Sequence, residues 1–242
     1  MMTDKQIERF SRQIILREVG VHGQQRLSAS KVLFVGLPAA AATAVAYLAA
    51  AGAAEIGLVD DEVVANPAAP LAYCETDRGQ PRSRLAAHLV ATLQPDGRAR
   101  TYANPAVAFA SRSWDLAVFG GGTAAALCNA ATIAARLPGI VVSADTDRGW
   151  LAGVAGHRTD APCWRCADWA PWLEAEGSAS NTASALPGVI GAALAIEATK
   201  SILEIGTPIA GRLLLWEPGC LAARVTALEK NPGCAACARR RT

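Results

Sequence analysis

The chain has 242 residues, of which 52% are hydrophobic and 18% charged, which suits one large core and excludes a disordered tail, a linker or a coiled coil. A formal net charge of +2 gives no general basic face for phosphate recognition, and only Arg239-Arg240-Arg241 is locally basic. Nucleic acid is therefore not an expected partner.

The start, Met1-Met2-Thr3-Asp4-Lys5-Gln6, lacks the apolar core of a signal peptide, so a cytoplasmic protein is expected. Lys31 to Gly36 is a short apolar run ending at glycine, and Ala39 to Ala51 is an alanine-rich stretch of helical length closed by Gly52. The uncharged span from Val32 to Ala54 could cross a bilayer by length. It contains Gly36, Pro38 and Gly52, however, and fits a strand followed by a buried helix better, with no membrane association.

The cycle then repeats. Glu55 to Asp60 predicts a strand, Arg82 to Leu93 a helix stopped by Pro95-Asp96-Gly97, and Arg98 to Ala103 a weaker strand. Asp115 to Phe119 predicts a strand, Thr123 to Arg136 a helix, and Gly139 to Ala144 a buried strand. After residue 150 come a strand over Trp150 to Gly156, a loop rich in Cys and Trp, and an apolar helix from Leu186 to Glu204. Arg212 to Trp216 and Leu221 to Leu228 predict an antiparallel hairpin turning at Pro218-Gly219. Alternating strands and helices mean an α/β fold, Rossmann-like, with a mostly parallel sheet covered on both faces. No linker or repeat divides the chain, so a single domain is expected.

Seven cysteines are an odd number, and four form two C-x-x-C pairs, Cys163-Trp164-Arg165-Cys166 and Cys234-Ala235-Ala236-Cys237. Each pair can offer two thiolates to one ion, and two pairs complete the tetrahedron of a structural zinc with no position open to substrate. A redox dithiol is the competing reading, though it needs one pair beside a helix N-terminus and leaves the second unexplained. Cys74, Cys128 and Cys220 read as incidental or core thiols, and His22, His88 and His157 share no spacing that suggests a catalytic set. Trp164, Trp169 and Trp172 with Glu174 and Glu176 suggest packing around the metal or a surface for a partner peptide.

A nucleotide-type strand, loop and helix is recognisable at Val35-Gly36-Leu37-Pro38-Ala39-Ala40-Ala41, with Asp60 ending the next strand where an acid can bond ribose hydroxyls. Pro38 stands where a second glycine is needed and brings no N–H, and Ala41 adds a methyl where a third glycine allows close packing.

Together with Arg12-Gln13-Ile14-Ile15-Leu16, Gly79-Gln80-Pro81-Arg82, Gly188-Val189-Ile190-Gly191 with Glu197, and Asn231-Pro232-Gly233-Cys234, these motifs resemble the ThiF/MoeB/HesA family over nearly the whole chain. The resemblance implies a dimer that binds ATP and magnesium and adenylates the C-terminal glycine of a ubiquitin-like or sulfur-carrier protein. It divides the chain into an N-terminal helical dimerisation segment (1–30), a nucleotide-binding half (31–150) and a half that binds zinc and carrier (151–242).

Several family positions are altered. Of the family's glycine-rich loop only Gly36 remains, and Asn66 is kept without the arginine expected in Pro67-Ala68-Ala69-Pro70. Arg82 replaces a lysine, Gly120-Gly121-Gly122-Thr123 lacks the magnesium-associated aspartate, and the segment between Cys166 and Leu186 holds no catalytic cysteine. Gly36, Asp60, Asn66 and Arg82 would thus be a residual nucleotide site, with ATP and magnesium in doubt. Arg12 matches an arginine that reaches the opposite subunit's site; the alternative is that it only serves its own helix. The leading expectation is an accessory subunit with an eroded ATP site, acting in a homodimer or beside an active paralogue, or presenting a carrier protein or peptide. A divergent adenylyltransferase, or a Rossmann-type binder of another metabolite near Gly120, are the alternatives.

Overall fold

The computed structural model describes residues 2–65, 72–144, 148–169, 185–217 and 222–238. Its centre is one eight-stranded sheet. In chain order the strands are β1 Lys31–Val35, β2 Glu55–Val59, β3 Arg98–Thr101, β4 Leu116–Gly120, β5 Gly139–Ala144, β6 Gly149–Val154, β7 Arg212–Glu217 and β8 Ala222–Ala227. Their spatial order is β3-β2-β1-β4-β5-β6-β7-β8. The first five are parallel, and β6, β7 and β8 run antiparallel to their neighbours. Strand order reverses between β1 and β4, which places a crevice at their C-terminal ends, the usual ligand position in such sheets.

Strands buried on both faces need apolar residues at every position. In β1, Val32 and Phe34 face one core and Leu33 and Val35 the other, and all four are buried. The first core is closed by α2 (Gly20–Leu27), α3 (Ala39–Ala51), α4 (Arg82–Leu93) and α7 (Leu186–Leu203), the second by α5 (Pro105–Ser111) and α6 (Gly122–Ala134). α3 and α7 cross closely because a methyl on Gly191 would sit 2.5 Å from the carbonyl oxygen of Ala40. α7 is long and apolar enough to span a membrane by composition. Ile190, Leu194 and Ala198 are nonetheless wholly buried against the core.

The expected helices at Ala39–Ala51 and Arg82–Leu93 appear with those boundaries, while β3 stops at Thr101 and β6 at Val154, short of their expected ends. The expected turn at Pro218-Gly219 lies outside the described residues. At the N-terminus, α1 (Asp4–Ile14) carries a capping box between Thr3 and Gln6. It docks through Phe10, which is 2% exposed beneath Gly52, through the Arg9 guanidinium on the Leu93 carbonyl, and through Gln6 near Asp96.

Candidate functional site

The loop after β1 is held from three sides. Gly36 has φ +82°, and its amide donates to the Val59 carbonyl at 2.8 Å. The Leu37 amide donates to Asp60 Oδ2 at 2.5 Å, and the Leu37 carbonyl accepts from Tyr73 Oη at 2.7 Å. Asp60 Oδ1 also accepts from the Glu62 amide at 2.7 Å. Burial pushes the Asp60 carboxyl above its usual range, while the Glu62 and Leu37 amides and the charge of Arg82 pull it back. Arg82 opens α4 and pairs with Glu62 at 2.5 Å.

Pro38 is the N-cap of α3 and offers neither an amide nor a capping side chain. Its ring lies against Gly120 across the crevice between β1 and β4, where a Cβ on Gly120 would be 2.3 Å from Pro38 Cδ. Of the backbone donors that a phosphate would use here, Leu37 N is engaged by Asp60 and Pro38 N has no hydrogen. Gly36, Asp60 and Arg82 are brought together at the C-terminal ends of the parallel strands β1 and β2. Asn66 lies outside the described residues, as do Trp172, Glu174 and Glu176.

Arg12 sits in the last turn of α1, is exposed, and makes no hydrogen bond or salt bridge among the described residues. Its neighbours Ile15 and Leu16 are 79% and 52% exposed. Cys74 is exposed and Cys128 is buried in α6, where burial raises its thiol to about 11 and makes it a poor nucleophile. Cys220 lies outside the described residues.

The two C-x-x-C pairs meet. The sulfurs of Cys163, Cys166, Cys234 and Cys237 all lie within 4.8 Å of one another. Cys163 and Cys234 are 3.7 Å apart, Cys163 and Cys166 3.8 Å, and Cys166 and Cys237 3.3 Å. A disulfide would be far shorter, and zinc at ~2.3 Å from each sulfur spaces tetrahedral thiolates by roughly 3.8 Å. The donor set therefore fits zinc. Burial raises the thiols of Cys163 and Cys237. For Cys234 burial is outweighed by the amides of Ala236 and Cys237, which bring the thiol down to about 7. A dication bound among them would let all four ionise together. The Asn129 side chain on α6 accepts from the Trp164 amide at 3.0 Å, and Trp164 stacks on Trp169 with ring centroids 4.0 Å apart. Trp164 and Trp169 pack beside the loop that carries Cys163 and Cys166, in the core that also holds Trp150.

Tyr73 and Asn129 were not singled out by the sequence, since neither interrupts a pattern. A cavity is formed elsewhere, on the opposite end of the sheet. Its volume is ≈ 660 Å³, and it opens at the N-terminal ends of the parallel strands beside Ser30, Asp115, Pro138, His157 and Lys200.

A parallel sheet with a nucleotide-type crevice is thus continued by an antiparallel half beside which four cysteines gather. The family model described as "ThiF family" matches residues 10–236. The chain belongs to the ThiF family. It is 32% identical over 250 residues to the SAMP-activating enzyme E1 of Haloferax volcanii, covering 96% of this chain and 89% of that protein. It is 30% identical over 251 residues to the sulfur carrier protein adenylyltransferase of Thermus thermophilus, covering 97% and 92%. Among solved structures, that of E. coli MccB with ATP superposes with a TM-score of 0.80 at 16% identity, over 96% of this chain and 75% of that one. That likeness is one of fold.

Proposed function

We propose that this chain is an accessory ThiF-family subunit in which adenylate transfer has been lost. It would pair with an active paralogue, or with itself, and present a ubiquitin-like or sulfur-carrier protein or peptide in the reducing cytoplasm. The observation that carries the reading is the seat of Pro38 on Gly120, with Leu37 N bound to Asp60. Together they leave the loop after β1 short of the amides that cradle phosphate. The glycines at 120–122 supply no carboxylate for magnesium.

Residues 1–30 form the pairing segment in this reading, 31–150 the nucleotide-type half and 151–242 the half that binds zinc and carrier. Arg12 is the group lent to the partner. Its guanidinium is exposed beside the apolar Ile15 and Leu16, and on a partner's site it would meet charge on a transferring phosphate. The four cysteines would hold a structural zinc.

Calorimetric titration of the folded, zinc-loaded protein with ATP and magnesium tests the reading, and no binding is expected. Micromolar binding would overturn it. Co-expression with a ThiF-type paralogue should yield a complex whose ATP-pyrophosphate exchange drops when Arg12→Ala is introduced.

A second reading, a divergent adenylyltransferase acting on a carrier C-terminus or a small carboxylate, is favoured by one observation. Arg82 keeps a cation beside Asp60 at the mouth of the crevice. ATP-pyrophosphate exchange by this chain alone, lost in Asp60→Ala, would establish it.

A further inference from the structure

Lys230 stands four residues before Cys234 and is half-buried. Its Nζ donates to the carbonyl of Gly156 at 3.0 Å, to that of Ala161 at 3.1 Å, and to that of Arg158. An ammonium group has three N–H donors, and all three are used. The acceptors belong to one loop, residues 155–162, closed at its base by Ala155 N donating to Pro162 O at 2.8 Å. Cys163 follows that base directly.

On the other side of the contact the chain is equally constrained. Asn231 Oδ1 accepts from the Gly233 amide at 2.8 Å, and the Asn231 carbonyl accepts from the Cys234 amide at 3.1 Å. A tight turn therefore leads from Lys230 to Cys234, and a tight loop leads from its three acceptors to Cys163. None of these bonds involves a metal. The two halves of the thiol cluster are joined by an ammonium group before any ion is considered.

We infer that Lys230 preassembles the four-cysteine site, tethering the C-terminal pair to the loop that carries the first pair and so setting zinc affinity. A site already gathered needs less ordering of the chain on binding than one the ion must gather. The lysine also places a cation near a tetrathiolate centre that is anionic overall. Lys230 is a positioning residue, its Nζ bonded to carbonyls and not to a ligand sulfur. The inference rests on the assignment of zinc to the four cysteines.

Competition for zinc with a chromogenic chelator tests it, on wild type, Lys230→Met and Lys230→Arg, each first shown by far-UV circular dichroism to be folded. Lys230→Met should bind zinc about tenfold or more weakly, the usual range for groups that orient ligands from behind. Arginine should recover only part of that loss, because a planar fork cannot converge on three carbonyls as an ammonium does. Wild-type affinity in folded Lys230→Met, or full recovery in Lys230→Arg, would overturn the tether.

A measurement on the unmutated protein covers the case in which Lys230→Met does not fold. After zinc is stripped by chelator, acylation of the four lysines is followed by mass spectrometry. Lys230 should stay protected relative to exposed Lys5; equal reactivity would overturn the inference. A wild-type protein that takes up no zinc would instead remove the metal assignment, and the inference with it.

Discussion

Pro38 and Gly120 touch across the point where strand order reverses. A methyl on Gly120 would lie 2.3 Å from Pro38 Cδ and 2.6 Å from the Gly36 carbonyl oxygen. Gly120→Ala should therefore overpack the crevice and lower stability by about 1–3 kcal/mol. Denaturant unfolding of Gly120→Ala, Pro38→Gly and the double variant gives the coupling directly. A positive coupling, with the double variant recovering part of the Gly120→Ala loss, is expected because one of the two clashes disappears with the ring. Additive effects would mean that the ring does not fill the crevice in solution.

Asp60 spends both carboxylate oxygens on the chain's own amides, Leu37 N and Glu62 N. Replacing it by alanine leaves two donors without acceptors at a half-buried position, and a loss of about 1–3 kcal/mol should follow. Unfolding midpoints of Asp60→Ala and wild type check this. Midpoints that coincide would show that the loop does not rely on the carboxylate.

Metal analysis of protein purified under reducing conditions should find about one zinc per chain, as one four-thiol site holds one ion. Cys163→Ser removes a buried ligand, and its zinc content should fall towards zero. Its stability should drop by an amount comparable to the ~2–5 kcal/mol seen when a native covalent cross-link is removed, with a lower melting temperature as the readout. A Cys163→Ser variant with unchanged zinc and unchanged melting would exclude the site.

The His157 imidazole is pushed below its ordinary value of 6.5, first by burial and then by Arg136, Arg158 and Lys230. Its Nδ1 is buried without a hydrogen-bond partner among the described residues. A depressed pKa means that the unfolded chain binds the proton more readily, so stability is complete above about pH 6.5 and falls as pH drops towards the folded value. Wild type should lose stability in that window, and His157→Gln should lose less over the same interval. Parallel pH profiles of the two proteins would assign the acid limb to other groups.

Where the sequence carries strong punctuation, the fold is legible in it. Pro38 and Gly52 bracket α3, and Pro81 with the Pro95-Asp96-Gly97 stop brackets α4, so both helices fall where expected. By contrast, α5 has seven residues and no periodicity to betray it. Its signals are Asn104, whose side chain accepts from the Val107 amide at 3.0 Å, and Pro105 in the first turn. The cysteine pairs announce a metal by spacing, but their meeting depends on Lys230, Asn129 and the register of β6, β7 and β8, which are tertiary matters. Asp60 shows the limit most clearly. An acid at the end of a strand reads the same whether it bonds a ribose or its own neighbouring loop, and only the folded loop reveals the bond to Leu37.

Cys163 and Cys234 are separated by 71 positions in the chain yet their sulfurs nearly touch. Everything between them, α7, β7 and β8 included, is a single ring once an ion bridges the two pairs. Closing so long a ring removes much of the freedom of the unfolded ensemble, because the entropy of closure grows with the logarithm of its length. Metal loss would thus be felt less at the cysteines than across this whole third of the molecule in its unfolded ensemble, while the folded halves stay joined through Lys230. A trace chelator in the buffer would then lower the unfolding midpoint without opening the folded antiparallel half.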